Sequence, residues 1–197
     1  MMSVMNDQGP YDTSAPDLLL APHRKFVQEL DKDTLEYWLT EHLRVDGVNW
    51  SLNTLRLLGH PGALDKEKIV EFLVQCQHHN GGVGGHIHHD PHLVPTLSAI
   101  QVLFTYDCLD AINVDKVVDH IVSLQNHNGL FSGDSSRQTD TRFTMRAVSC
   151  LSLLKRLDDA RLSLEKTIEY IVRCRNFDGG LDPVLEAKVM QSMLMFV

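Results

Sequence analysis

From Leu18 onward, apolar and polar residues recur with the period of an α-helix. Phe26, Val27 and Leu30 share one face of a first predicted helix. Leu35, Trp38, Leu39 and Leu43 share one face of a second, for which Asp33 supplies an N-cap. Asp46-Gly47 then predicts a chain break. Beyond it a further apolar helix carries Leu52, Leu55 and Leu58, with Trp50 at its start.

The pattern then repeats. Segments 68–77, 116–125 and 166–175 superimpose, and each runs at once into a glycine turn, at Gly81, Gly129 and Gly179. Gly81 and Gly129 are 48 residues apart, and Gly129 and Gly179 are 50 apart. Within the second copy Val114, Val117, Val118, Ile121, Val122 and Leu124 keep helical spacing, so their β-branching does not make a strand. Asp65 and Ser163 are predicted N-caps of the first and third copies. A second helix follows each of the first two turns. One begins near Asp90 and carries Leu93, Leu97, Ile100, Leu103 and Phe104; the other begins near Asp140 and carries Phe143, Val148, Leu151 and Leu154.

A helix pair cannot bury its own apolar face, so such units must stack. Open helical solenoids have units of about 33–47 residues with short loops. The longer stretches Gly81 to Asp90 and Gly129 to Asp140 instead suit a closed α/α toroid with its loops gathered at one end. The fold class is therefore all-α, a toroid of helix pairs.

Composition narrows the function classes. Apolar residues make up 43% and charged residues 22% of the 197, the usage of an ordinary globular chain. A net charge of −8 is the wrong sign for neutralising phosphate backbones, which argues against nucleic acid. Cys76, Cys108, Cys150 and Cys174 form no Cys-x-x-Cys pair and sit in apolar stretches, so they read as reduced core residues. There is no basic-then-apolar leader and no run of 18 apolar residues, and a soluble cytoplasmic protein is expected, not an integral membrane one. Residues 1–16, with Gly9, Pro10, Ser14 and Pro16, are expected to be a flexible arm.

Two constellations invite chemistry. The stretch His78 to His92 holds six histidines and an aspartate, which could supply zinc ligands. The equivalent loop of the second unit, Asn128 to Asp140, has no histidine, so the architecture needs no metal there and surface histidines are the favoured reading. Asp140-Thr141-Arg142 opens a helix, where free N–H groups and a guanidinium could bind an anion. Equally, Asp140 could cap the helix and Arg142 pair with an acid. Trp50 could line an apolar pocket or be core. The glycine turns lack Walker or Rossmann spacing and read as helix terminators.

As a set, Cys76-Gln77-His78-His79-Asn80-Gly81-Gly82, His89-Asp90-Pro91-His92-Leu93, Ile112-Asn113-Val114-Asp115-Lys116-Val117, Ser123-Leu124-Gln125, Phe131-Ser132-Gly133-Asp134, Asp140-Thr141-Arg142-Phe143 and Asn176-Phe177-Asp178-Gly179-Gly180 resemble the β-subunits of Rab geranylgeranyltransferase, the type II protein prenyltransferases. The resemblance implies a barrel of helix pairs whose apolar funnel holds geranylgeranyl diphosphate. It further implies transfer of the lipid to C-terminal cysteines of Rab GTPases presented by an escort protein. In that family a zinc ion held by Asp, Cys and His activates the acceptor thiol and a helical α-subunit wraps the barrel, so the resemblance implies zinc and an α-subunit partner here. The resemblance also places Trp50 and Arg142 at positions lining the lipid cavity.

Departures from the family shape the remaining expectations. The repeat region spans 17–180, the N-terminal half of such a toroid, and residues 181–197 form a divergent tail. No residue can be assigned as catalytic or as a zinc ligand. The chain is thus expected to be inactive alone, its tail the product of an altered transcript or gene model. The alternatives are a non-catalytic binding subunit, or a farnesyl or type I geranylgeranyl transferase β-subunit. Terpene cyclases share the toroid but need an acid-rich motif, and Asp158-Asp159 is the nearest approach to one. Pro95 falls inside a predicted helix, Ser136-Arg137-Gln138 replaces a usual Trp-Gly-Glu, and Asp46 and Asn49 stand at lipid-facing positions where a small residue and an aromatic are usual.

Overall fold

The computed structural model describes residues 19–30, 32 and 34–182. The arm 1–16, the Asp33 cap and all but the first two residues of 181–197 lie outside the described residues. The helices are α1 (Leu20–Gln28), α2 (Leu35–Leu39), α3 (Arg44–Leu57), α4 (Lys66–Gln75), α5 (Leu93–Thr105), α6 (Val114–Ser123), α7 (Thr141–Leu153) and α8 (Leu164–Arg173), with 3₁₀ turns at Glu41–Leu43 and Leu109–Ala111. Among the described residues, extended pairing is confined to isolated antiparallel bridges in the loops.

Helix α5 packs between α3 and α7, making one layer. Leu73 of α4 and Val117, Val118 and Ile121 of α6 join Leu93, Ile100 and Leu103 of α5 and Leu151 of α7 in a single core. Covered on several sides at once, α5 carries nine buried residues. Helix α6 buries only Val117, Val118, His120 and Ile121. That contrast marks α5 as an inner helix and α6 as an outer one. Pro95 is tolerated because it stands in the first turn of α5, where its missing N–H would have had no intrahelical partner.

Identical devices at repeat spacing build the connections. Val83 N–H donates to Thr96 Oγ1 (3.0 Å), and Phe131 N–H donates to Thr144 Oγ1 (3.1 Å). Gln77 and Gln125 tie successive units together: Asn113 N–H donates to Gln77 Oε1 (3.0 Å), and Ser163 N–H donates to Gln125 Oε1 (3.0 Å). Gly81 and Gly129 take left-handed φ values of 95° and 90° and sit against the backbone that opens α6 and α8. In the third turn Asn176 N–H donates to the Gly180 carbonyl (2.8 Å) and Asp182 N–H to that of Cys174 (3.1 Å), so the turn geometry continues through Asp182.

Three local expectations are corrected. Asp46-Gly47 does not break the chain but lies inside α3, and Trp50 is mid-helix. Tertiary bonds override the local signal: Asp46 accepts from Ser98 Oγ (2.5 Å) and Val45 N–H donates to the Gly85 carbonyl (3.1 Å), which commits both groups away from a turn. Thr34 caps α2, its hydroxyl accepting from Tyr37 N–H. Ser163 precedes α8 without a side-chain cap bond, because its backbone serves Gln125. Asp65 caps α4 as expected, and Asn113 does the same for α6.

Candidate functional site

The inner helices begin at comparable caps. His92 Nδ1 accepts from Val94 N–H (3.1 Å), and Asp140 Oδ1 accepts from Arg142 N–H (2.7 Å). The His92 bond needs the neutral ring, and burial lowers that histidine's pKa, opposed by the nearby Asp134 carboxylate. The Asp140 carboxyl is held below its ordinary range, chiefly by its side-chain bond with Arg142, whose own pKa is raised.

Arg142 lies with its fork on Asp140: Nε is 3.0 and 3.1 Å from the two carboxylate oxygens, and Nη2 is 2.8 Å from Oδ2. Of the two alternatives open at this motif, the structure has the cap and the ion pair. Most of the guanidinium is in solvent, so the pair adds little stability. Beside it, Thr141, Met145, Val148, Ile171 and Leu181 line a cavity of about 540 Å³. Trp50 lines a different, strongly apolar cavity of about 350 Å³ with Leu30, Leu43, Val48, Leu64 and Ile69. The two residues thus line separate cavities. Half or more of the Trp50 surface is open to solvent.

Asp46 and Asn49, expected at lipid-facing positions, bond across to α5, and Asp46 also lines a cleft of about 560 Å³ beside His92. Both are buried between α3 and α5, where Asn49 Nδ2 donates to Gln101 Oε1 (2.8 Å) and Asp46 receives the Ser98 hydroxyl. Asp159 is likewise accounted for: it pairs with Arg161 (2.7 Å), which also reaches Asp119 (2.7 Å), and that bonding holds its pKa down at about 2. Among the described residues, neither Asp158 nor Asp159 belongs to a close group of metal-ligating side chains.

The histidine loop holds what sequence reasoning missed. Glu41, from the 3₁₀ turn before α3, brings one carboxylate oxygen within 3.2 Å of both His86 Nδ1 and His89 Nε2. Among the described residues this is the one group of three or more His, Cys, Asp or Glu side chains with ligand atoms close enough to share a metal ion. The missing signal was Glu41, 45 residues from His86 in sequence. Cys76 and Cys150 have thiols pushed up to about 12 by burial, and neither belongs to such a group. No described helix is long and apolar enough to cross a membrane.

Comparison with known proteins places this geometry. Residues 18–189 match the prenyltransferase alpha-alpha toroid domain. The geranylgeranyl transferase type-2 subunit beta of Saccharomyces cerevisiae is 37% identical over 183 residues, which is 89% of this chain and 56% of that protein. Its namesake in Candida albicans is 34% identical over 171 residues, 80% of this chain and 50% of that protein. The chain therefore spans about half the length of these curated relatives. Candida albicans protein geranylgeranyltransferase-I, solved as a complex with GGPP, superimposes with a TM-score of 0.65 over 80% of this chain and 51% of that one, at 20% identity, a likeness of fold.

Proposed function

The chain belongs to the prenyltransferase α/α toroid family, and from that premise we propose that it is a β-subunit of Rab geranylgeranyltransferase. In this reading it acts in the cytoplasm with an α-subunit, and the reaction moves geranylgeranyl from geranylgeranyl diphosphate to C-terminal cysteines of Rab GTPases presented by an escort protein. The observation that carries it is a match to a type-2 β-subunit running over 89% of the chain, with the family model spanning all three glycine turns.

What the described residues contribute is a seat for hydrocarbon. Apolar walls around Trp50 and around Met145, Val148 and Ile171 release water when an isoprenoid covers them. Trp50 offers an exposed ring face to that chain. Arg142 carries the positive charge nearest the start of α7, but its pairing with Asp140 must open before it can meet a diphosphate. We assign both residues to lipid binding.

A zinc ion in this reading would lower the pKa of the acceptor thiol. The described residues do not fit the Asp, Cys and His set implied by the resemblance: the two thiols with raised pKa are buried and protonated, and no close group includes a cysteine. The chain alone is expected to bind lipid without turnover.

Two measurements test this. Titration of the full chain with radiolabelled geranylgeranyl diphosphate, read by equilibrium dialysis, should saturate; Trp50→Ala should weaken binding by about tenfold, the value of one lost aromatic contact. Saturation unaffected by Trp50→Ala and Arg142→Ala would remove the lipid assignment. Prenyl transfer to a Rab acceptor by the chain with α-subunit, escort protein and zinc should be absent, and clear turnover would contradict the expected inactivity.

A further inference from the structure

We propose that Glu41, His86 and His89 form a binding site for a zinc-class divalent ion, which clips the entry to α3 onto the loop between α4 and α5. The inference is independent of the functional reading above, since it rests on these three side chains and on the backbone that holds them.

Donor chemistry comes first. Two imidazoles and one carboxylate are a set that zinc accepts, leaving a fourth position for water. Two donors each about 2.1 Å from a tetrahedral zinc lie roughly 3.4 Å apart. Glu41 Oε1 already stands 3.2 Å from His86 Nδ1 and 3.2 Å from His89 Nε2, and all three ligand atoms fall within 4.8 Å of one another. An ion at the centre needs only small rotamer shifts.

The backbone brings the donors together without the ion. Val45 N–H donates to the Gly85 carbonyl (3.1 Å), and a Cβ on Gly85 would stand 2.1 Å from the His42 carbonyl oxygen, so glycine permits this close approach of the two segments. His89 N–H donates to the His86 carbonyl (3.1 Å), and His88 takes a left-handed φ of 68°, a tight reversal between the two ligating histidines. Phe72 packs against the His86 ring at 5.5 Å. The side chains are 21% to 36% exposed, open enough for an ion to enter and for water to complete the coordination. His89 also borders a cleft of about 560 Å³ shared with His42, His88 and Asp90.

The repeat shows that the fold does not require this cluster. At the corresponding places of the second loop stand Asp134, whose carboxylate accepts from Ser136 N–H (2.8 Å), and Arg137, which donates to the Ser123 carbonyl (3.4 Å). The same loop closes there on ordinary turn bonds, so the gathering of two imidazoles on Glu41 is an addition to the scaffold.

The competing account is a carboxylate hydrogen-bonded to two rings and nothing more. Glu41→Gln separates the two, because an amide oxygen still accepts hydrogen bonds but is a poor zinc ligand. The untagged full chain, stripped with chelator, is titrated with zinc by equilibrium dialysis and with Co²⁺ by visible absorption. Circular dichroism confirms the fold of each variant, and His79→Ala serves as a loop control. Expected are one tight zinc per chain, a Co²⁺ band of low-symmetry type, and affinity lowered by about tenfold or more in Glu41→Gln, His86→Ala and His89→Ala, with His79→Ala unchanged. The proposal is overturned if the wild-type chain binds zinc no more tightly than Glu41→Gln, or if His79→Ala weakens binding as much as His86→Ala.

Discussion

Gly81 and Gly179 close equivalent turns with φ of 95° and 90°, yet their replacement by alanine should have different consequences. A Cβ on Gly81 would lie 2.0 Å from the Lys116 carbonyl oxygen, against backbone that cannot swing aside, while a Cβ on Gly179 meets nothing within 4 Å. Gly179→Ala should therefore cost only the left-handed strain, about 1–2 kcal/mol. Gly81→Ala adds overpacking and should cost about 3 kcal/mol or more. Urea denaturation of the two variants checks this, and equal losses would contradict the unit-to-unit contact. The cysteines differ in the same residue-by-residue way. Cys76 and Cys150 are buried with pKa about 12, whereas Cys108 is half-buried. Under native conditions a thiol reagent should modify Cys108 first, as peptide mapping would show; early labelling of Cys150 would refute the packing described.

Among the elements, α3 shows how far local signals reach. Asp46-Gly47 reads as a break by propensity, but Ser98 and the Gly85 carbonyl, both distant in sequence, hold those residues in helix. The caps were legible where the side chain itself acts, at Asp65 and Asp140, and illegible at Ser163, whose backbone is taken by Gln125. Asn113→Ala removes the cap of α6 and should destabilise by about 1 kcal/mol. Gln125→Ala removes a side chain that bonds both the Ser163 backbone and Thr167 Oγ1 (3.1 Å), and should cost more than that cap. Thermal melts that rank the two in reverse order would weaken the case for Gln125 as the tie between units.

For the whole molecule, buried histidines set a pH dependence. His120 lies between the turn of the first unit and the core, its Nε2 without a hydrogen-bond partner, and burial lowers its pKa. His92 is lowered in the same direction. The unfolded chain takes up these protons near pH 6.5 while the folded chain does not, so stability is full above that value and falls as pH drops below it. Tm should be lower at pH 5.5 than at 7.5, and His120→Gln should narrow the gap; a Tm that ignores this window would count against buried neutral histidines. Ile168, Val172 and Phe177 are largely exposed on and just after α8. A patch of that kind favours association, so the chain alone should scatter light in a concentration-dependent way, and Ile168→Glu with Val172→Lys should reduce it.

What the sequence determined by itself was periodic. Apolar spacing of helical period, a unit of 48 to 50 residues and a glycine after each outer helix suffice to define helix pairs, because each of those signals acts through residues near in sequence. The family resemblance rode on the same turns. Only the tertiary structure decided that Asp46 and Asn49 tie two helices together, that Arg142 lies on Asp140, that Trp50 and Arg142 serve separate cavities, and that Glu41 meets His86 and His89. A polar side chain goes where a partner satisfies it, and for most of these residues that partner is 45 or more positions away; where it is local, as for Arg142, the sequence still left two outcomes equally open.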